Sequence, residues 1–343
     1  MAATFDDKVE RSGSDNRYAR ERQEKFMAGI VDDVEQKSLA LQLGEVHRMD
    51  TFKEVFRLSN TKPSTYWING TTGAGDAPHG SNNNDDTNQA AKDSGLKQTT
   101  TQDWDTLYLI PDEIATLVVM PDAWMDDSDV RLDEIRKDVV SSLALSLDAA
   151  IFFGRSTTSH ALPSTFGNGI VPDTISNGAF VVEGVGVDTA DDYALFYRGL
   201  EDRGFDASAT IVDRVEPWRL RRLRDDNNQP IYQELGAAGK SAIYGRDLRT
   251  INNDVWRPTD ITALDGEWGN LHIGVRQDVQ WSMSNSAVIH DASGAVEYNA
   301  YQQDGMVLRA CMRVGYVVTD PYRYRTGQRE WPFEALLPLH YSS

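Results

Sequence analysis

The chain has 343 residues, enough for about two domains of ordinary size. Hydrophobic residues make up 40% and charged residues 25%, which allows a buried core beside long solvated segments. The formal net charge of −19 argues against a protein that wraps nucleic acid or lies on an anionic membrane, since both need clustered cations.

In chain order, Met1 to Asp7 hold no apolar signal core. Residues 14–43 carry a broken helical stripe (Tyr18, Phe26, Ile30, Val31, Val34, Leu39, Leu41) that reads as an arm packing on something else, with Gly44 as its stop. Thr51 to Ile68 reads as extended, with Phe52, Val55, Phe56 and Thr65-Tyr66-Trp67-Ile68 favouring strand and Pro63 placing it at an edge. From Gly70 to Asp103 there is almost nothing apolar to bury. Because strand-like segments flank this stretch, the whole reads as a long two-stranded arm with a flexible tip. A lone hairpin is marginal in water and needs a partner surface, here a second subunit. Leu107 to Val119 is the returning strand, expected to lie across a neighbouring subunit.

An acidic corner, Asp126-Asp127-Ser128-Asp129, leads into the clearest element, a helix over 129–153. Ile135, Val139, Leu143, Leu147 and Ile151 repeat every four residues and anchor it to its own core. Ser128 or Asp129 caps it, Asp133 and Glu134 suit its first turn, and Gly154 fits the C′ position. Its apolar run, Val139 to Phe153, is too short for a membrane span and contains Asp148. After a loop through Pro163 and Gly169-Ile170, the pattern predicts a helix over 190–203, a buried strand over 209–213 and a helix over 216–224. From Gly266 onward strands dominate, at 271–275, 279–283 and 306–319, and a polar aromatic tail starts at Pro321. The class is α+β.

The usual catalytic devices are missing: there is no GxGxxG, P-loop, GxSxG or HExxH. Six scattered histidines include no pair at i+4, and His272 reads as a packed or edge-strand residue. Asp126-Asp127 precedes a helix start, where acids are stabilising in any case, so an acidic hydrolase built on the pair is the weaker reading. Asp85-Asp86 lacks the spacing of an EF-hand. Cys311 lies in an apolar run and reads as a small buried hydrophobe, with no intrachain disulfide available. The basic run Arg219 to Arg224 is a candidate inter-subunit contact or anion site, or the solvated face of a helix. No cofactor or metal is expected, and the chain reads as a soluble cytosolic protein.

Taken together, the order of these segments resembles the major capsid proteins of tailed bacteriophages, the HK-ninety-seven-like fold. The resemblance covers about residues 50–325 and rests on several motifs in sequence. These are the returning strand, Trp124-Met125-Asp126-Asp127, the helix closing at Phe153-Gly154, Gly169-Ile170, Trp218-Arg219-Leu220 with Leu223-Arg224-Asp225 and Gln229-Pro230, Asp304-Gly305-Met306, and Arg313-Val314-Gly315 to Pro321. It implies an N-terminal arm (1–55), an extension loop (56–110), a peripheral domain (111–180, with a spine helix over 129–153), an axial domain (181–265), and return strands of the peripheral domain with a C-terminal tail (266–343).

The resemblance further implies self-assembly as hexamers and pentamers into an icosahedral virion shell around double-stranded DNA, formed in the host cytoplasm. Portal, scaffold and decoration proteins are the implied partners; DNA is enclosed without sequence-specific binding, and no membrane is involved. Tyr66, Trp67, Lys92, Lys97, Trp104, Tyr108, Arg219 and Arg222 are the residues expected at inter-subunit contacts. Cross-linked members of the family join an extension-loop lysine to an asparagine with a glutamate assisting. Lys92 or Lys97 can supply the lysine, but the acceptor region reads Gln303-Asp304-Gly305 and the glutamate's place falls near Cys311-Met312, so no autocatalytic cross-link is expected. An encapsulin-like nanocompartment is the other reading within the same fold.

Overall fold

A computed structural model describes residues 34, 37–63, 65, 102–121, 129–158, 161–225, 227–232, 235, 242–251, 255–291 and 293–339, with backbone alone at 129–133 and 278. The N-terminal part holds a short helix α1 (Leu39–Leu43) and strands β1 (Glu45–Arg48) and β2 (Glu54–Ser59). Next come β3 (Trp104–Leu109), β4 (Asp112–Pro121) and the long helix α2 (Asp129–Phe153). Helix α3 (Ile170–Ser176), β5 (Phe180–Val182), α4 (Thr189–Asp202), β6 (Ala209–Asp213), α5 (Glu216–Arg221), β7 (Ala242–Ile243), β8 (Arg246–Ile251) and β9 (Ala263–Gly266) follow. The last part contains β10 (Leu271–Ser284), β11 (Val288–His290), β12 (Val296–Asn299), β13 (Gly305–Val318), β14 (Tyr322–Arg323), β15 (Gln328–Arg329) and β16 (Phe333–Leu337).

A four-stranded sheet runs in the order β1-β10-β13-β4, with β1 parallel to β10 and the other pairs antiparallel. Helix α2 lies against it. Val139 and Leu143 pack with Ala310, while Leu147 and Ile151 enter the main core, and Ile135 is half-buried against the Met120–Leu308 cluster. All five sequence-predicted anchors therefore face the helix's own subunit. The helix ends as an αL motif: Gly154 has φ +59 and donates its N–H to Ala150 at 3.0 Å. Asp148, fully buried in the same helix, accepts from the Ser38 hydroxyl at 2.6 Å and from the Leu39 and Ala40 amides at 3.2 Å each. A carboxylate in the apolar run thus caps α1 and ties it to α2.

The second sheet has six strands, β5-β16-β9-β6-β8-β7. Its strands alternate between two cores. Ile211, Leu264, Phe333, Ala335 and Leu337 join the main core with α2, whereas Val212, Ala263 and Leu336 meet Tyr193, Phe196 and Leu200-bearing α4 on the other face. Burial on both faces explains the apolar neighbours Ile211-Val212 in β6 and Ala335-Leu336-Leu337 in β16.

Several expectations need revising. Phe333–Leu337, read as tail, is an inner strand of the six-stranded sheet, paired with β5 and β9. The segments 271–275 and 279–283 are one strand whose ladder slips between Val275 and Gln277 and between Gln277 and Gln280, where polar Arg276-Gln277-Asp278 interrupts the alternation. Helix α5 stops at Arg221, and the loop region after Gly169 contains α3, whose Pro172 sits in the first turn where its missing N–H costs nothing.

Candidate assembly surfaces

β2 and β3 form an antiparallel ladder from Glu54↔Leu109 to Ser59↔Trp104, extended by the Asn60 amide donating to the Asp103 carbonyl at 2.9 Å. This is the base of the two-stranded arm. One face turns inward through Phe56, Leu107 and fully buried Leu109. The corner after Leu109 is seated over two glycines opposite each other in the β10–β13 ladder, Gly274↔Gly315. A Cβ at Gly274 would meet Leu109 at 2.6 Å, and one at Gly315 would meet the Ile110 carbonyl oxygen at 2.3 Å.

The base is also held by charge. Arg329 donates to Asp105 and to Asn60 at 2.9 Å each, and pairs with Asp320. The Thr106 amide and then Arg329 hold the Asp105 carboxyl below its usual range. Burial works against the charge on Arg329, but Asp320 and Asp105 outweigh it and raise its pKa.

Among the described residues, the opposite face of the base is uncovered. Val55 and Tyr108, direct cross-strand partners, are each 49% exposed, Trp104 is 54% exposed, and Lys53 Nζ lies 3.2 Å from the centre of the Tyr108 ring. Trp104 and Tyr108, two of the residues expected at inter-subunit contacts, are both exposed on this face. Tyr66, Trp67, Lys92, Lys97, Asp126 and Asp127 lie outside the described residues.

The expectation that Leu107 to Val119 crosses a neighbour as one span is revised from Asp112 onward, because β4 is hydrogen-bonded to β13 of its own subunit from Asp112↔Val314 to Pro121↔Gly305. β4 is nevertheless the edge of its sheet, and Leu117 and Val119 point outward, exposed. Beside this edge a groove of about 470 Å³ runs between β4, the end of α2 and the segment from Ser156 to Phe166.

Arg219, expected at a contact, donates to Glu216 at 2.8 Å and Glu183 at 2.5 Å. Burial disfavours its charge, but these two acids outweigh that and raise its pKa. Arg222 is exposed, and neighbouring Arg221 lies over the Trp218 ring at 4.7 Å. The region named for cross-linking has Asp304 at a turn with φ +44, while Cys311 and Met312 are buried in β13.

Two groups of titratable side chains escaped the sequence reading. Glu334, Asp265 and Thr210 form a cross-strand row on β16, β9 and β6, roofed by Arg203 and Arg246. Burial, against the pull of those arginines, pushes Asp265 and Glu334 each up to about 7. The row is visible in sequence only once the register is known. The second group is Glu45, His47 and His272, where β1 meets β10 beneath β2. Burial lowers the His272 pKa, with Glu45 opposing.

A model of the phage capsid family matches residues 23–325 of this chain. No curated protein matches it. Among solved structures, a chain from Microbacterium phage Oxtober96 is 26% identical with a TM-score of 0.68, covering 88% of this chain and 91% of that one. A chain from Mycobacterium phage Adephagia is 19% identical with a TM-score of 0.70, covering 90% and 92%. The capsid of a native GTA particle is 15% identical with a TM-score of 0.55, covering 86% and 88%.

Proposed function

Because this chain belongs to the phage capsid family, we propose that its copies assemble as hexamers and pentamers into an icosahedral head enclosing double-stranded DNA. The chain is a major capsid protein, located in the virion shell, and its role is structural. The observation that carries the assembly reading is the arm base: Val55, Tyr108 and Trp104 leave an apolar face uncovered on a two-stranded ladder that is marginal by itself. A neighbouring subunit laid on that face, and on the outward residues Leu117 and Val119 of β4, buries both and satisfies the sheet edge.

The same reading includes a separate scaffold protein, a portal, decoration proteins, and assembly in the host cytoplasm. A net charge of −19 keeps non-specific attraction to the enclosed DNA weak. Negative-stain microscopy and light scattering of the purified chain test the proposal. Closed shells, or stable pentamers and hexamers, are expected; a protein that stays monomeric at all concentrations overturns it.

A further inference from the structure

We propose that Glu45, His47 and His272 form a binding site for a zinc-class divalent transition-metal ion that ties β1 to β10 within the four-stranded sheet. The strand register creates the site. Glu45 and His47 are two residues apart on β1 and therefore share a face. Glu45 stands opposite His272 on β10, and His47 lies diagonally across from it. One donor atom from each residue falls within a set whose members all lie within 4.8 Å of one another. His47 Nε2 and His272 Nδ1 are 3.0 Å apart, and the Glu45 oxygens lie 3.4 Å from His272 Nδ1 and 3.9 Å from His47 Nε2. Tetrahedral bonds of about 2.0–2.1 Å set ligand–ligand edges of roughly 3.3 Å, so modest side-chain rotation closes the triangle around an ion.

The outer partners support the same assignment. An imidazole that binds a metal through one nitrogen usually hands its other N–H to an acceptor. His272 Nε2 lies 3.3 Å from Thr319 Oγ1, and His47 Nδ1 lies 4.0 Å from a Glu54 oxygen on β2. With each N–H on that outer nitrogen, the two inner nitrogens, 3.0 Å apart, are left as ligand atoms. Phe56 stacks on His272 at 4.6 Å and meets His47 edge-on at 5.7 Å, giving the site an apolar roof from the arm base. Two nitrogens and one carboxylate select a zinc-class ion over calcium or magnesium, which prefer all-oxygen shells. Glu45 is exposed, so the fourth position opens to solvent.

The proposal does not depend on the shell reading and is tested on the full-length chain. The protein is stripped with EDTA, dialysed against Zn²⁺ or Co²⁺ and assayed for bound metal, with thermal unfolding as a second readout. One Zn²⁺ per chain, tetrahedral Co²⁺ absorption bands and a Zn²⁺-dependent rise in Tm of a few degrees are expected. His47→Asn, at the sheet edge, should lose all three while keeping its circular dichroism spectrum, and His290→Ala, on the separate β11–β12 hairpin, should keep all three. Absence of bound metal in the parent chain, or unchanged stoichiometry in His47→Asn, overturns the site.

Discussion

Gly274 and Gly315 face each other across the β10–β13 ladder, and the chain's corner at Leu109 and Ile110 fills the space their missing side chains leave. A methyl at residue 315 would meet a backbone carbonyl oxygen, which has little room to retreat. Gly315→Ala should therefore destabilise the chain by about 1–3 kcal/mol, the usual cost of overpacking, and loosen the arm base. Urea denaturation gives the energy, and hydrogen exchange at Leu107 and Leu109 gives the location. An unchanged midpoint would show that the corner is not seated there.

Asp148 is a structural carboxylate. Asp148→Ala leaves the Ser38 hydroxyl and two amides of α1 without their acceptor, in a buried place. A loss of roughly 2–5 kcal/mol is expected by denaturation. Ser38→Ala removes one donor and should cost less.

The free face of the arm base should matter to assembly and little to folding. Trp104→Ser with Tyr108→Ser is expected to change subunit stability by less than about 1 kcal/mol, because both side chains are half exposed. Particle yield by light scattering should fall sharply. Normal yield from the double variant would remove these residues from the contact.

Asp265 and Glu334 give a pH signature. Their pKa values rise on folding, from the model-compound values of 3.8 and 4.5 to about 7. Between those limits the native state holds more protons than the unfolded chain, so this contribution to stability is complete at low pH and is lost as pH rises towards 7. Glu334→Gln should make the slope of stability against pH between 5 and 7 less negative by roughly 1 kcal/mol per pH unit. Denaturation midpoints at a series of pH values measure it; parallel slopes for parent and variant would contradict it.

The chain from mature particles should run on a denaturing gel as a monomer, with no higher covalent bands. Asp304 is a poor acyl acceptor when ionised, and Cys311 and Met312, buried in β13, provide no general base. A ladder of covalent oligomers would refute this.

The parts legible in the sequence were those with strong local period or one-sided burial. The i+4 repeat from Ile135 to Ile151 found α2 and its facing, and the apolar run at 209–213 found β6 to the residue. What escaped depended on distant partners. Phe333-Glu334-Ala335-Leu336-Leu337 has a carboxyl at its second position, and Arg203, far away in sequence, makes that glutamate tolerable inside a sheet. The histidine cluster is equally invisible, since His47 and His272 meet only through a parallel pairing of β1 with β10.

The position of β16 bears on synthesis. β5 at 180–182 and β9 at 263–266 are separated in the six-stranded sheet by a strand that emerges from the ribosome only after both. A nascent chain arrested anywhere before Phe333 has a gap in the middle of that sheet, with two open edges and the apolar faces around them unsealed. Prematurely ended chains therefore lack a finished six-stranded sheet.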